Sequence, residues 1–439
     1  MKGAARQSRF SAGFERAHGR TEGARQDFDL KTLAILVGGG PSPGINAVIC
    51  AAAIEARNQG LRVLGCLDGF KWLMAGDVSH VQELNISEVS RIHFDGGSII
   101  RTSRANPTTS HETLGRVAKS LRDLDVSYLI TIGGNDTALG SSRVAAELGG
   151  SLAVVHVPKT IDNDLPLPAD IPTFGFVTAV DLGKDLVKNL MQDAATTEKW
   201  FFVTVMGRHA GHLTLGIGGA AGATLMLVGE EFAGERVPLQ QLSDILEGAI
   251  IKRRVHSRHH GVALLAEGIL EKLDPTTVGP ISYDTYGNVR LSDLELARRL
   301  KEHVTASLAE RGIDVAIAPK DLGYELRCAP PGGFDIQYAR SLGYWATRFL
   351  LDGGTGAMAT IQGGKLVPVP FEQLLDPGTG KVRLRYVDVN SEAYRTLAAY
   401  MIRLKPEDFD HRQSIDALAR AANLSNADFV RRFGYLVGR

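Results

Sequence analysis

The residues of this chain best equipped for chemistry stand together in Pro158-Lys159-Thr160-Ile161-Asp162-Asn163-Asp164. A carboxylate can take the proton of a substrate hydroxyl, and a lysine can neutralise phosphate charge. Both are parts of a phosphoryl-transfer site. The same residues also make an ordinary polar turn, in which Asp and Asn bond their own backbone. The stretch alone leaves both readings open. Its setting favours the chemical one. Residues 152–157 form an apolar run that reads as a buried parallel strand, and open α/β sheets put their chemistry at the C-terminal ends of such strands.

Stepping along the chain gives more strand ends of the same kind. Residues 33–37 are apolar and run into Gly38-Gly39-Gly40-Pro41-Ser42-Pro43-Gly44, with a helical pattern from about Asn46. Strand, glycine-rich turn and helix offer bare N–H groups and a helix N-terminus to a phosphate. Residues 62–66 read as a second strand, and Arg101-Thr102-Ser103-Arg104 as a loop whose arginines and hydroxyls suit an oxyanion. Residues 113–124 carry Leu114, Val117, Leu121 and Leu124 at helical spacing. The strand at 128–132 ends in Gly133-Gly134-Asn135-Asp136-Thr137, and a helix follows to about Leu148 with Asp136 or Thr137 placed to cap it. The alternation predicts a doubly wound parallel sheet.

The second half repeats the theme. The strand at 201–205 ends in Met206-Gly207-Arg208, and small residues at 216–222 predict a helix packed closely on a sheet. Strands are expected at 223–228, at 261–266 delivering Glu267, and at 315–318 ahead of Tyr324 and Arg327. A helix is expected to end near Arg254, with further helical patterns at 391–403 and 412–435.

Basic and acidic residues balance at 49 each, which removes any global electrostatic case for nucleic acid or an anionic membrane. No run approaches the ~18 consecutive apolar residues of a membrane span. The 3 cysteines are far apart with no metal-ligand spacing, so a reducing, cytoplasmic compartment is expected. His256, His259 and His260 cluster, and His is a common metal ligand, but no nearby carboxylate or cysteine completes a metal site. Residues 1–30, basic and glycine-containing, read as a disordered tail.

The four motifs at 38–46, 133–137, 158–164 and 206–208, in that order, resemble the 6-phosphofructokinases over roughly residues 31–372. The resemblance implies two Rossmann-like three-layer α/β domains with mostly parallel sheets. Residues 31–172, completed by about 328–372, would bind the phosphoryl donor. Residues 173–327 would bind the sugar phosphate, and 373–439 would form a C-terminal helical extension. Asp162 would be the base toward the sugar 1-hydroxyl, with Thr160 and Asp164 beside it. Arg208 and Arg104 would stabilise the moving phosphoryl group. Met206, Gly207, Glu267, Tyr324 and Arg327 would hold fructose 6-phosphate. Lys199 would reach the site of a neighbouring subunit, in a homodimer or homotetramer. Gly39, Gly40, Asp136, Thr137 and Lys159 would meet the donor, and Asn135 and Asp136 a magnesium ion.

Family members that use ATP typically carry glycine where this chain has Asp136 and Lys159, so the chain looks like the pyrophosphate-using branch. A carboxylate at 136 would repel a nucleotide α-phosphate, and a lysine at 159 suits the compact pyrophosphate. The implied activity is reversible phosphorylation of fructose 6-phosphate, a step of glycolysis and gluconeogenesis. Asn135 stands where the family usually has Asp, and Cys50 and Ile54 where bacterial ATP-using members place effector-binding arginines. An ATP-dependent enzyme and an inactive regulatory subunit are the alternatives.

Overall fold

The computed structural model describes residues 31–438 apart from 169, 233, 235 and 275–293; the expected tail at 1–30 lies outside the described residues. Eleven strands are described: β1 (Thr32–Val37), β2 (Arg62–Cys66), β3 (Val81–Glu83), β4 (Val126–Gly133), β5 (Ala153–Pro158), β6 (Trp200–Val205), β7 (Leu225–Leu227), β8 (Gly261–Ala266), β9 (Ile317–Leu322), β10 (Ala357–Gln362) and β11 (Lys365–Pro370). They form two sheets, one ordered β11-β10-β5-β4-β1-β2-β3 and one ordered β7-β8-β6-β9. Only β3 and β11, the edges of the larger sheet, run antiparallel to their neighbours.

The apolar runs are continuous because the strands are covered on both faces. In β1, Leu33, Ile35 and Val37 pack toward the helices Ile45–Asn58 and Gly333–Leu351, while Ala34 and Leu36 pack toward His111–Asp123 and Asn135–Leu148. Helix, sheet and helix make the three layers. Around the smaller sheet, Trp200, Phe202, Leu264 and Ile217 anchor a separate core. The helix Phe176–Thr197 leads from one sheet to the other. Asp335 fixes its start by accepting from the N–H groups of Gly175 (2.7 Å) and Thr178 (2.8 Å).

Several expectations are corrected. The strand expected at 315–318 is β9, shifted to Ile317–Leu322. It lies on a sheet edge and exposes Pro319, Lys320 and Asp321, so no apolar run marks its true extent. The pattern at 412–435 is two helices, Arg412–Ala421 and Asn426–Phe433. Asn423 turns left-handed at φ 52°, and Ser425 caps the second helix by accepting from Asp428 N–H (3.1 Å). The Asn135–Leu148 helix is capped by neither Asp136 nor Thr137. Its N-cap is Gly134, which has no side chain to occupy the first N–H groups. The β10–β11 hairpin turns on Gly363-Gly364, both at positive φ, as a two-residue hairpin requires. No described helix is long and apolar enough to cross a membrane.

Candidate active site

In the larger sheet the strand order reverses between β1 and β4, and a crevice forms there at the C-terminal strand ends. Gly38–Gly40 and Gly133–Thr137 follow those two strands. Thr137 fills the space between them. A Cβ on Gly38 would lie 2.3 Å from Thr137 Oγ1, and one on Gly133 2.3 Å from Thr137 Cβ. Beneath the second turn, buried His156 bonds to the Gly133 carbonyl (3.0 Å) and to Thr131 Oγ1 (2.9 Å). Burial drives its pKa down to about 3, so it is neutral: Nε2–H donates to Gly133 and Nδ1 accepts from Thr131.

The 101–104 loop clamps the first glycine turn. Gly39 N–H donates to Ser103 O (2.8 Å), Thr102 Oγ1 to Gly39 O (2.8 Å) and Ser103 Oγ to Asp68 O (2.6 Å). The hydroxyls expected to meet an oxyanion are therefore bonded to backbone carbonyls, while Arg101 pairs with Asp68 (3.6 Å) and Arg104 is exposed. Gly39 stands at φ 83°, and a Cβ there would lie 3.3 Å from Lys159 Nζ. Lys159 is buried and donates to the Gly40 carbonyl. Burial, aided by Arg327 and Arg104, pulls its pKa down to about 8.

Beyond Lys159 the chain turns on Asn163, at φ 58°. Thr160 Oγ1 accepts from Asp162 N–H (3.0 Å), and buried Thr173 donates its hydroxyl to Thr160 O (2.6 Å) and its N–H to Asn163 Oδ1 (3.0 Å). Asn135 Nδ2 donates to Asp164 Oδ2 (3.0 Å). That leaves Asn135 Oδ1, Asp162 Oδ1 and Asp164 Oδ1 shielded from solvent, with no hydrogen-bond partner among the described residues. Burial raises the Asp162 pKa, against the pull of Arg327, Lys159 and Arg208. Burial and the Asp162 charge raise Asp164 to about 6.

The smaller sheet faces this turn with its own strand ends. Its order places β6 beside β9, so Met206–Arg208 lies next to 323–327. Met206 N–H donates to Leu322 O (2.9 Å), and a Cβ on Gly323 would touch the Met206 side chain at 2.9 Å. Glu267, buried at the end of β8, accepts from Arg208 N–H (3.2 Å). Gly207 stands beside it, where a Cβ would lie 2.8 Å from Ala210 O. Arg327 stacks 5.0 Å from the exposed Tyr324 ring and lies 3.4 Å from where a Gly40 Cβ would be. It thus spans the two halves of the site.

Two expected residues stand apart. Asp136 is exposed on the first helical turn, while its neighbour Asn135 turns inward to Asp164. Lys199 precedes β6, at the opposite end of that strand from Met206. Six residues at ~3.3 Å each put it about 20 Å away. There it pairs with Asp193 (3.1 Å). Sequence reasoning missed His156, Thr173 and Arg385. His156 and Thr173 lie inside or beside motifs yet look like ordinary core and loop positions, and Arg385 falls in a polar stretch with no motif.

The phosphofructokinase family model matches residues 32–350. The chain belongs to the phosphofructokinase family. Among curated phosphofructokinases it is 48% identical to the pyrophosphate--fructose 6-phosphate 1-phosphotransferase of Naegleria fowleri, over 93% of this chain and 96% of that one. It is likewise 48% identical to the protein of that name from Thermotoga maritima, over 91% and 97%. A solved pyrophosphate-dependent phosphofructokinase from Nitrosospira multiformis shares the fold, with a TM-score of 0.64 at 19% identity, over 89% of this chain and 92% of that one.

Proposed function

We propose that this phosphofructokinase transfers a phosphoryl group reversibly between pyrophosphate and the 1-hydroxyl of fructose 6-phosphate. The observation that carries the donor assignment is Lys159, a buried amine set against the Gly39–Gly40 turn, where it adds positive charge to a tight cradle. A pyrophosphate there would meet Lys159, the glycine N–H groups, Thr137 and the open N-terminus of the Asn135–Leu148 helix. Asp136, exposed at the rim, would oppose the longer phosphate chain of a nucleotide.

Asp162 takes the proton of the 1-hydroxyl as oxygen attacks phosphorus, and phosphate leaves. Its Oδ1 has no competing partner among the described residues, and its raised pKa strengthens it as a base. Thr160 holds the Asp162 backbone. Arg208 and Arg104 stabilise charge on the phosphoryl oxygens. Met206, Gly207, Glu267, Tyr324 and Arg327 receive the sugar phosphate. The unsatisfied oxygens of Asn135 and Asp164 fit a hard cation. They would hold magnesium, with Asp136 at the rim; when bound, the ion neutralises phosphate charge. Lys199, too far to serve its own site, would serve a neighbour's in a homodimer or homotetramer. Three free thiols accord with a cytoplasmic enzyme.

The test is purified protein with magnesium, fructose 6-phosphate and one donor at a time. Pyrophosphate should support turnover, and the reverse reaction should form pyrophosphate from fructose 1,6-bisphosphate and phosphate. Faster turnover with ATP at equal sub-saturating concentration would assign the donor to ATP instead.

A further inference from the structure

The segment 384–388 lies beyond the residues that the family model matches. Arg385 is nevertheless bonded throughout to the turn that carries the base. Its Nε donates to Asn163 O (2.9 Å) and its Nη2 to Asn163 Oδ1. Its Nη1 donates to the carbonyls of Leu167 (3.3 Å), Pro168 (2.9 Å) and Ile171 (2.9 Å). Its backbone N–H donates to Asp164 O (2.8 Å). Asn163, the residue gripped twice, separates Asp162 from Asp164 and stands in the left-handed region.

The same segment grips the other half of the site. His212 Nε2–H donates to Arg385 O (3.0 Å). Val387 N–H donates to Glu230 Oε1 (3.1 Å), the oxygen that also accepts from Gly211 N–H (2.9 Å). Gly211 and His212 close the loop that begins at Met206-Gly207-Arg208. One strand of backbone therefore ties the Asp162 turn to the Arg208 loop.

We infer that Arg385 is a positioning residue, which holds the Asp162 turn in register with the Arg208 loop. The inference rests on the reaction proposed above. A planar guanidinium can bond acceptors on several sides at once, which a lysine ammonium on its flexible stem cannot reproduce. Its hydrogen-bond acceptors here are neutral, so these bonds fix the turn's shape, while its charge also acts on nearby Asp164, and Arg385→Lys keeps that charge. Displacing a reacting group by about 1 Å costs on the order of a hundredfold in rate.

The test compares full-length wild type with Arg385→Lys and Arg385→Ala, using magnesium, fructose 6-phosphate and pyrophosphate. We expect kcat to fall on the order of tenfold in Arg385→Lys and a hundredfold in Arg385→Ala, with both KM values within about threefold of wild type. Guanidinium ion at low millimolar concentration should restore part of the Arg385→Ala loss and leave wild type unchanged. A kcat for Arg385→Lys within about twofold of wild type overturns the inference, as do raised KM values at unchanged kcat. If Arg385→Ala does not fold, Arg385→Lys decides alone. If wild type uses ATP and not pyrophosphate, the donor assignment fails, and the same kcat comparison made with ATP still decides the role of Arg385.

Discussion

Lys159 concentrates the donor question in one residue. Its amine is buried between two glycines and the Asp162 turn, and burial with Arg327 nearby pulls its pKa down to about 8. Below that pH it is charged and can meet an anion; above it the charge is lost. For folding the sign is the reverse of a salt bridge. The unfolded lysine keeps its proton to ~10.5, so burying the ammonium costs stability below about 8, and the cost is relieved as pH rises from 8 to 10.5. For catalysis, kcat/KM toward pyrophosphate should fall as pH rises through about 8, since this ratio reports the free enzyme. Lys159→Gln should lower it at pH 7 by about tenfold to a hundredfold, the worth of a charge-assisted bond. The two proteins should then converge at alkaline pH, where the wild-type amine is neutral. A ratio constant from pH 6.5 to 9.5 would show that the lysine charge does not act on the donor.

At the scale of elements, the crevice between β1 and β4 depends on how closely two strand–turn–helix units approach. Thr137 is the spacer between them, and both glycines it touches lack room for a methyl group. Gly38→Ala should therefore cost ~1–3 kcal/mol, as overpacking does. Because the clash is with the Thr137 side chain, Gly38→Ala combined with Thr137→Ala should recover much of it. Urea denaturation of the four proteins should give a coupling energy of at least ~0.5 kcal/mol. Strict additivity would mean that the two turns adjust independently. His156 works on the same turn from below. Being buried and neutral, it binds a proton far more readily in the unfolded chain, so its contribution falls as pH drops below the usual histidine range toward about 3.

At the scale of the whole molecule, Lys199 stands at the far end of β6 from the Met206 loop. A cation about 20 Å from the Met206 loop helps its own site very little through a Debye length of ~8 Å. It can contribute in an assembly. Lys199→Ala should raise the KM for fructose 6-phosphate by about tenfold or more through loss of a charge-assisted contact, and leave the pyrophosphate KM near wild type. Activity measured across dilution, alongside sedimentation, checks the premise. Full activity from a protein shown to be monomeric would remove Lys199 from the site. The C-terminal helices join the same body: Phe409, Phe429 and Phe433 pack against Ile251, and Arg432 pairs with the buried Glu247 at 3.1 Å. The segment leading to them carries Arg385.

What the sequence determined by itself was the set of strand ends. A parallel strand covered on both faces must be apolar along its length, and the glycines and polar residues after it mark where it stops. That made β1, β2, β4, β5, β6 and β8 legible, along with the residues they deliver, from Gly39 and Lys159 to Asp162, Arg208 and Glu267. β9 and β11 lose the signal because they lie at sheet edges with most of their residues exposed or half-exposed, which is why β9 was misplaced and β11 passed unread; β10, interior and mostly buried, passed unread beside it. Only the tertiary structure decided which groups share a space. Arg327 reaches Gly40 across 287 residues of sequence, Asn135 turns to Asp164 while Asp136 faces out, and Arg385 closes on Asn163 from 222 residues away. Such pairings leave no periodic trace. A hydrogen bond between distant loops depends on where the sheets bring the loops, and neither partner's local sequence encodes that.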